Sequence, residues 1–388
     1  MQHVYRLDEA ATAIVATAAD IARSTLARHA AEVDARPRFP EESVTALARE
    51  GLLGLCVPTT LGGRGQGPRA FAGVVEELAQ ACASTAMIYV MHVTATQAVT
   101  ASSTLTGRDD VLRTIASGRH LTTLALSEKG SRSQFWAPVS RLEERDGGWV
   151  TTAAKSWVTA AAHADSYVSS AQRPGAASPL ESVIYLVRRN APGVRVIAGF
   201  DGLGLRGNDS SPVALEGLAL GAGDLMTAMG AGATMMLEVI LPWFALGTAA
   251  MANGLCRAAV TATAAHLSGQ GFEHTGTRLR DLPNLRARLA EMSVRTEQAR
   301  ALLGHTLGAV EAGTADAPLL VLQARLASLE AAVDVTDRAL KACGGAAFSK
   351  HLPLERVFRD ARAGWVMAPT VDHLRDFIGR ALTGLPLF

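Results

Sequence analysis

Apolar residues recur at helical spacing up to about residue 119, lose that spacing from His120 to Gly221, and regain it beyond Gly223. Few folds tolerate such a double change of period. In the middle, the short runs Leu121–Leu126, Val139–Glu143, Trp149–Thr152, Tyr167–Ser170, Val183–Val187 and Val213–Leu218 alternate with turn residues, as strands do. Asp146-Gly147 is a hairpin signal between two of them. The chain therefore reads as α+β and mostly α. An N-terminal helical domain (1–119) is followed by a middle β-barrel or sandwich (120–222) and a C-terminal four-helix bundle (223–388). With 388 residues it can bury a sizeable core, and with only 5% aromatic residues that core is filled mainly by Ala, Leu and Val.

The first helix spans Leu7 to Ala35 and is stopped by Pro37 and Pro40. A second runs from Pro40 to Gly51, and a Gly- and Pro-dense loop, Gly54 to Pro68, follows. Further helices are expected at Arg69–Cys82, Ser84–Ser102 and Asp109–Ser117. In the C-terminal part the pattern gives Leu225–Gly269, Leu285–Ala312, Pro318–Ala342 and Thr370–Leu382. From Leu225 to Cys256 the only charged residue is Glu238, a length that could cross a bilayer. Gly230, Gly232, Pro242, Gly247 and Asn253 interrupt it, and basic flanks are sparse, so a helix buried inside a bundle is expected and no membrane span. The net charge of +1 gives no electrostatic case for nucleic acid. Cys56, Cys82, Cys256 and Cys343 lie far apart and read as reduced thiols of a cytoplasmic protein, with no metal site.

The richest stretch is Cys343 to Arg380. Gly344-Gly345 ends a long apolar helix, and Pro353 follows in an expected loop. Pro369 disfavours helix at Ala368, so a bend is expected there, with Thr370 as the N-cap of the last helix and Asp372 in its first turn. Gly344-Gly345, Phe348, Pro353, Glu355-Arg356 and Arg359-Asp360-Ala361 together resemble the C-terminal signature of the acyl-CoA dehydrogenase superfamily. Three further motifs agree, in order. Ser127-Glu-Lys-Gly-Ser-Arg-Ser133-Gln134 is similar to the family's Thr-Glu-Pro-x-x-Gly-Ser-Asp loop, with Lys129 for the proline and Gln134 for the aspartate. Lys155-Ser-Trp157-Val-Thr159 looks like Lys-x-Trp-Ile-Thr, and Gly202-Leu-Gly-Leu-Arg-Gly207 resembles the run before the last barrel strands. Pro58, Gly62, Gly63 and Gly65 match a family loop as well.

The resemblance implies a flavoprotein that binds FAD, with FMN or an exchangeable reduced flavin as variants. It implies that Ser127, Trp157, Thr159, Gly344, Gly345 and Thr370 hold the flavin. Ser133 would meet the phosphopantetheine of a CoA- or carrier-protein-bound acyl substrate. It also implies a homo-oligomer, tetramer or dimer. In most members a glutamate eight residues beyond the Asp of Arg-Asp-Ala removes the substrate's α-proton; here that position is Ala368. Members that carry the base on the first C-terminal bundle helix would have it at Phe244, six residues after Glu238. Lys341 stands where a glutamine usually precedes the Gly-Gly pair, and Phe272–Gly276 replaces a cofactor-contacting run. His92, in the apolar run Met87–Val99, is the foremost candidate for a replacement acid or base, with Glu238 behind it. The expected activity is a non-standard flavin-dependent oxidation, a monooxygenase reaction fed by a flavin reductase or by the substrate. The alternatives are thioester desaturation through another base, and a non-catalytic scaffold of the same fold.

Overall fold

The structure is a computed structural model that describes residues 3–387. Asp8 caps the first helix, accepting from the Ala11 N–H at 2.7 Å. Helices α1 (Glu9–Ile21) and α2 (Ala27–Ala35) form one rod, joined by a π-wound turn at Ala22–Leu26. After α3 (Glu41–Arg49) come α4 (Pro68–Ala81), α5 (Ala83–Ala101) and α6 (Arg108–Ala116). Helix α5 is apolar almost all the way round, which suits its place: from Ala83 to Thr96 every residue is buried.

The middle region is two sheets. Strands β1 (Thr122–Ala125), β4 (Ser166–Gln172) and β5 (Ser182–Arg188) form one, in the order β1-β4-β5, with β1 and β4 parallel. Strands β2 (Leu142–Arg145), β3 (Gly148–Val158), β7 (Ser211–Leu220) and β6 (Val194–Val196) form an antiparallel second sheet in that order. Asp146 and Gly147, both at positive φ (51° and 80°), make the expected hairpin turn between β2 and β3. Two sequence runs, Trp149–Thr152 and all but the last residue of Lys155–Thr159, belong to the single long strand β3. Its pairing with β7 slips between Lys155 and Val158, where Trp157 takes a φ of 57°.

The C-terminal part opens with α7 (Gly232–Met235) and a π-wound turn at Met236–Ile240. The long helix α8 (Leu241–Gly269) follows, so the expected single helix from Leu225 is broken. Pro242 has no N–H to return to the Glu238 carbonyl, which fits the widened turn before it. Gly232–Gly269 is long and apolar enough to cross a membrane, yet it is mostly buried against neighbouring helices. Helices α9 (Pro283–Ala312) and α10 (Ala317–Cys343) pack on α8. Then come α11 (Gly345–Phe348), α12 (Leu354–Val366) and α13 (Val371–Thr383). The Arg-Asp-Ala run lies within α12, a helix that the sequence pattern did not separate.

Arg359 and Asp360 show what this run does mechanically. The Arg359 guanidinium bonds both carboxylate oxygens of Asp34 on α2 (2.9 and 2.6 Å) and the Leu203 carbonyl (3.0 Å). Asp360 accepts from the Leu205 N–H at 2.6 Å. Gly204 sits between them: a Cβ there would lie 2.5 Å from the Arg359 carbonyl oxygen. One turn of α12 thus ties the N-terminal helices, the middle sheets and the bundle together.

Candidate functional site

The loop after β1 is shaped by a buried ion pair. Lys155 Nζ donates to Glu128 Oε1 at 2.6 Å and to the Ser170 carbonyl at 2.8 Å, and both side chains are sealed from water. Glu128 also accepts from the Val139 and Ser140 N–H groups and the Ser140 hydroxyl. Burial alone would raise the Glu128 carboxyl, but Lys155 and Ser140 outweigh it and hold it below its usual range. The lysine and glutamate of the two central motifs are therefore architectural. They fix the loop whose half-exposed Ser127 and Ser133 face outward. The backbone completes the link, with the Ser156 N–H donating to the Ser127 carbonyl at 2.9 Å.

Trp157 stands at the β3 irregularity with 68% of its surface exposed, its ring edge-on to Phe200. Thr159, just inside, is buried with its hydroxyl 3.1 Å from that of Ser210. In the same loop after β1, Trp136 packs edge-on against His373 and Phe377 of α13. This contact carries the Ser127–Ser133 loop to the start of α13, where the Thr370 hydroxyl caps the helix by accepting from the His373 N–H. Ala368 lies at the corner just before it, half-buried, joined to Pro369 by a cis peptide.

These residues fit a flat, polar-edged cofactor such as a flavin. The Trp157 indole, 68% exposed, offers a stacking surface. Ser127, Thr159 and Thr370 carry hydroxyls of the kind a ring edge can bond, the Thr159 one paired with Ser210 and the Thr370 one with the His373 N–H. At the end of α10, Gly344 needs its freedom for a φ of 56°, and Gly345 is open on the side where a Cβ would point. Both glycines are exposed.

His92 does not join this site. It is fully buried on α5, with Nε2 donating to the Leu53 carbonyl at 3.0 Å and Nδ1 accepting from the Thr122 N–H at 3.1 Å. Burial pushes its pKa down to about 4. With both nitrogens committed and the ring neutral, it bridges α5 to β1 and cannot shuttle a proton, which corrects the sequence expectation. Glu238 is exposed on its π-wound turn. Phe244, on α8, is buried and lies under the guanidinium of Arg325.

Two residues near the corner were missed from sequence. Arg325, on α10, donates to the Met367 carbonyl at 3.1 Å. His373 holds its Nδ1 buried without a hydrogen-bond partner. A histidine five residues past Ala368 was a usable signal. An arginine in a helical repeat was not, because such residues usually face water.

Comparison with known proteins gives one consistent result. The models for the acyl-CoA dehydrogenase N-terminal, middle and C-terminal domains match residues 8–119, 123–218 and 230–383. The probable acyl-CoA dehydrogenase fadE25 of Mycobacterium leprae is 24% identical over 98% of this chain and 97% of its own length. Butyryl-CoA dehydrogenase from Megasphaera elsdenii superposes with a TM-score of 0.92 at 20% identity, covering 97% of this chain and 99% of that one. The FAD complex of PigA superposes at 0.89 with 19% identity, covering 97% and 98%.

Proposed function

The chain belongs to the acyl-CoA dehydrogenase family of FAD-dependent oxidoreductases, and from that premise we propose that it carries out a non-standard flavin-dependent oxidation, an oxygenation, without a carboxylate base. The observation that carries this is the corner at Ala368. The residue that leads into the Thr370 cap has no group able to take a proton, and the alternative position, Phe244, is apolar too. His92 is committed elsewhere, and Glu238 is exposed. Losing a positioned base forfeits about 10² to 10⁴ in the rate of proton abstraction.

Ser127, Trp157, Thr159 and Thr370 would hold the flavin ring, with Gly344 and Gly345 open to its more distant parts. When bound, the flavin supplies two-electron redox chemistry and, with molecular oxygen and a reductant, oxygen transfer. The chain's own share is positional. Trp157 offers the stacking face, Ser133 orients a thioester's carrier arm, and Phe244 and Ala368 keep water away from the reacting atoms. The electrons come from a partner reductase or from the substrate.

Dehydrogenation of a CoA- or carrier-bound acyl group through another base is favoured by one observation, the unpartnered buried Nδ1 of His373 beside the corner. Anaerobic mixing of the FAD-loaded protein with butyryl-CoA separates the two. The wild type is expected to keep its visible flavin bands, while Ala368→Glu, which restores a carboxylate, bleaches at least tenfold faster. Prompt bleaching of the wild type would overturn the oxygenase assignment and put His373 forward as the base, to be tested by His373→Asn.

A further inference from the structure

Among the described residues Arg325 is the largest fully buried side chain. A guanidinium carries five N–H groups, and here one bond is made, from Nη2 to the Met367 carbonyl. Nε and Nη1 have no partner, nor has the buried hydroxyl of Ser328, three residues along the same helix. Among the described residues no carboxylate pairs with this arginine; its contacts are the carbonyl and the Phe244 ring, whose centroid is 4.8 Å away. Burial draws the guanidinium down to about 9, so it is still a cation at neutral pH.

A buried charge without a counter-ion costs several kcal/mol, and arginine cannot escape the cost by losing its proton. Elsewhere this protein pairs such charges with care: Lys155 has Glu128, and Arg359 has Asp34. The unpaired one stands between the two positions that flank the candidate reaction site. Met367 adjoins Ala368, and Phe244 lies directly beneath the cation. Its charge is weakly screened where water is sparse, so it would attract an anion brought to the 367–368 corner even before any bond forms.

We propose that Arg325 recognises a carboxylate on the acyl end of the substrate, so that this enzyme acts on the monothioester of a dicarboxylic acid. The proposal rests on the acyl-thioester reading of the site. The free N–H groups suit a carboxylate's paired oxygens. Both base positions are then apolar for a reason. A glutamate at 368 or 244 would neutralise Arg325 and exclude the substrate's own carboxylate.

The test is calorimetric titration of the FAD-loaded protein with glutaryl-CoA and pentanoyl-CoA, which share a chain length and differ in the terminal carboxylate. Wild type is expected to bind glutaryl-CoA at least tenfold more tightly. Arg325→Met abolishes that preference while leaving pentanoyl-CoA affinity within twofold, and Arg325→Lys retains part of it. Equal affinities in the wild type, or an equal loss of both ligands in Arg325→Met, would overturn the proposal and make Arg325 a strut for the 367–369 corner. If Arg325→Met does not fold, the wild-type preference and its reduction in Arg325→Lys decide. Should neither thioester bind, the thioester reading fails on its own. Free glutarate against pentanoate then decides: stabilisation against heat by glutarate alone, reduced in Arg325→Lys, upholds the carboxylate site, and no stabilisation refutes it.

Discussion

At the scale of single residues, polarity is a poor guide to chemistry until hydrogen bonds are counted. His92 and His373 look alike in sequence, yet one has both nitrogens occupied and the other has a bare Nδ1. The pH dependence of folding exposes the difference. The His92 pKa falls from 6.5 unfolded to about 4 folded, so between these values the unfolded chain binds the extra proton. The stability contributed by neutral His92 is therefore complete above pH 6.5 and lost as pH falls towards 4, by an amount of about 3 kcal/mol. His120, also lowered to about 4, adds a slope of the same sign. His92→Leu should shallow the fall in urea midpoint across this window. It should also cost about 2–4 kcal/mol at pH 7 by stranding the Leu53 carbonyl and the Thr122 N–H. Turnover per folded, flavin-loaded molecule should be unchanged; a changed pH–rate profile would return His92 to the chemistry.

At the scale of elements, the motifs that drew attention as a cofactor site turn out to be half scaffold. In Ser127-Glu-Lys and Lys155-Ser-Trp, the Glu128–Lys155 pair locks β3 to the β1 loop, and only the residues beside it face outward. Lys155→Met leaves an ionised Glu128 in the interior, which should cost about 3–5 kcal/mol. The loop's grip on flavin should fall with it, read as the ratio of visible to ultraviolet absorbance. Adding Glu128→Gln should recover much of the loss, since the buried charge goes with its partner. A double variant no better than the single would show that the pair's worth lies in packing alone. The strand and helix plan was legible because the period changes are long and strong. Helix α12 was not separated, although Leu354, Val357, Ala361 and Gly364 are buried at helical spacing. Pro353, read as loop, stands just before the helix, its carbonyl accepting from the Val357 N–H at 3.1 Å. Strand β6, only three residues long, was too short to carry a pattern. The polar rim proposed for the site, Ser127, Thr159 and Thr370, comes from motifs. Arg325 was not legible, because no local pattern tells a buried arginine from an exposed one.

At the scale of the whole molecule, the last three helices leave apolar surface uncovered. Phe348 is 86% exposed, Trp365 45%, Val366 73% and Leu382 65%. Single exposed apolar residues are ordinary, but four large ones within 35 residues of chain, on consecutive helices, are not. The segment Phe272–Gly276 is likewise exposed throughout, between α8 and α9. Among the described residues of one chain these side chains stay exposed, while the long bundle helices are well buried. Covering them with a second copy removes apolar area from water at about 25 cal/mol per Å², enough to favour association once the patches join. Light scattering during size exclusion should then give a mass two or four times the 40.5 kDa of one chain at micromolar concentration. Val366→Asp with Phe348→Ser, both on exposed positions, should lower that mass without lowering the helical signal in circular dichroism. A wild-type mass of one chain would refute self-association. An oligomer indifferent to both substitutions would move the interface to the Phe272 loop, where Phe272→Ser becomes the deciding variant.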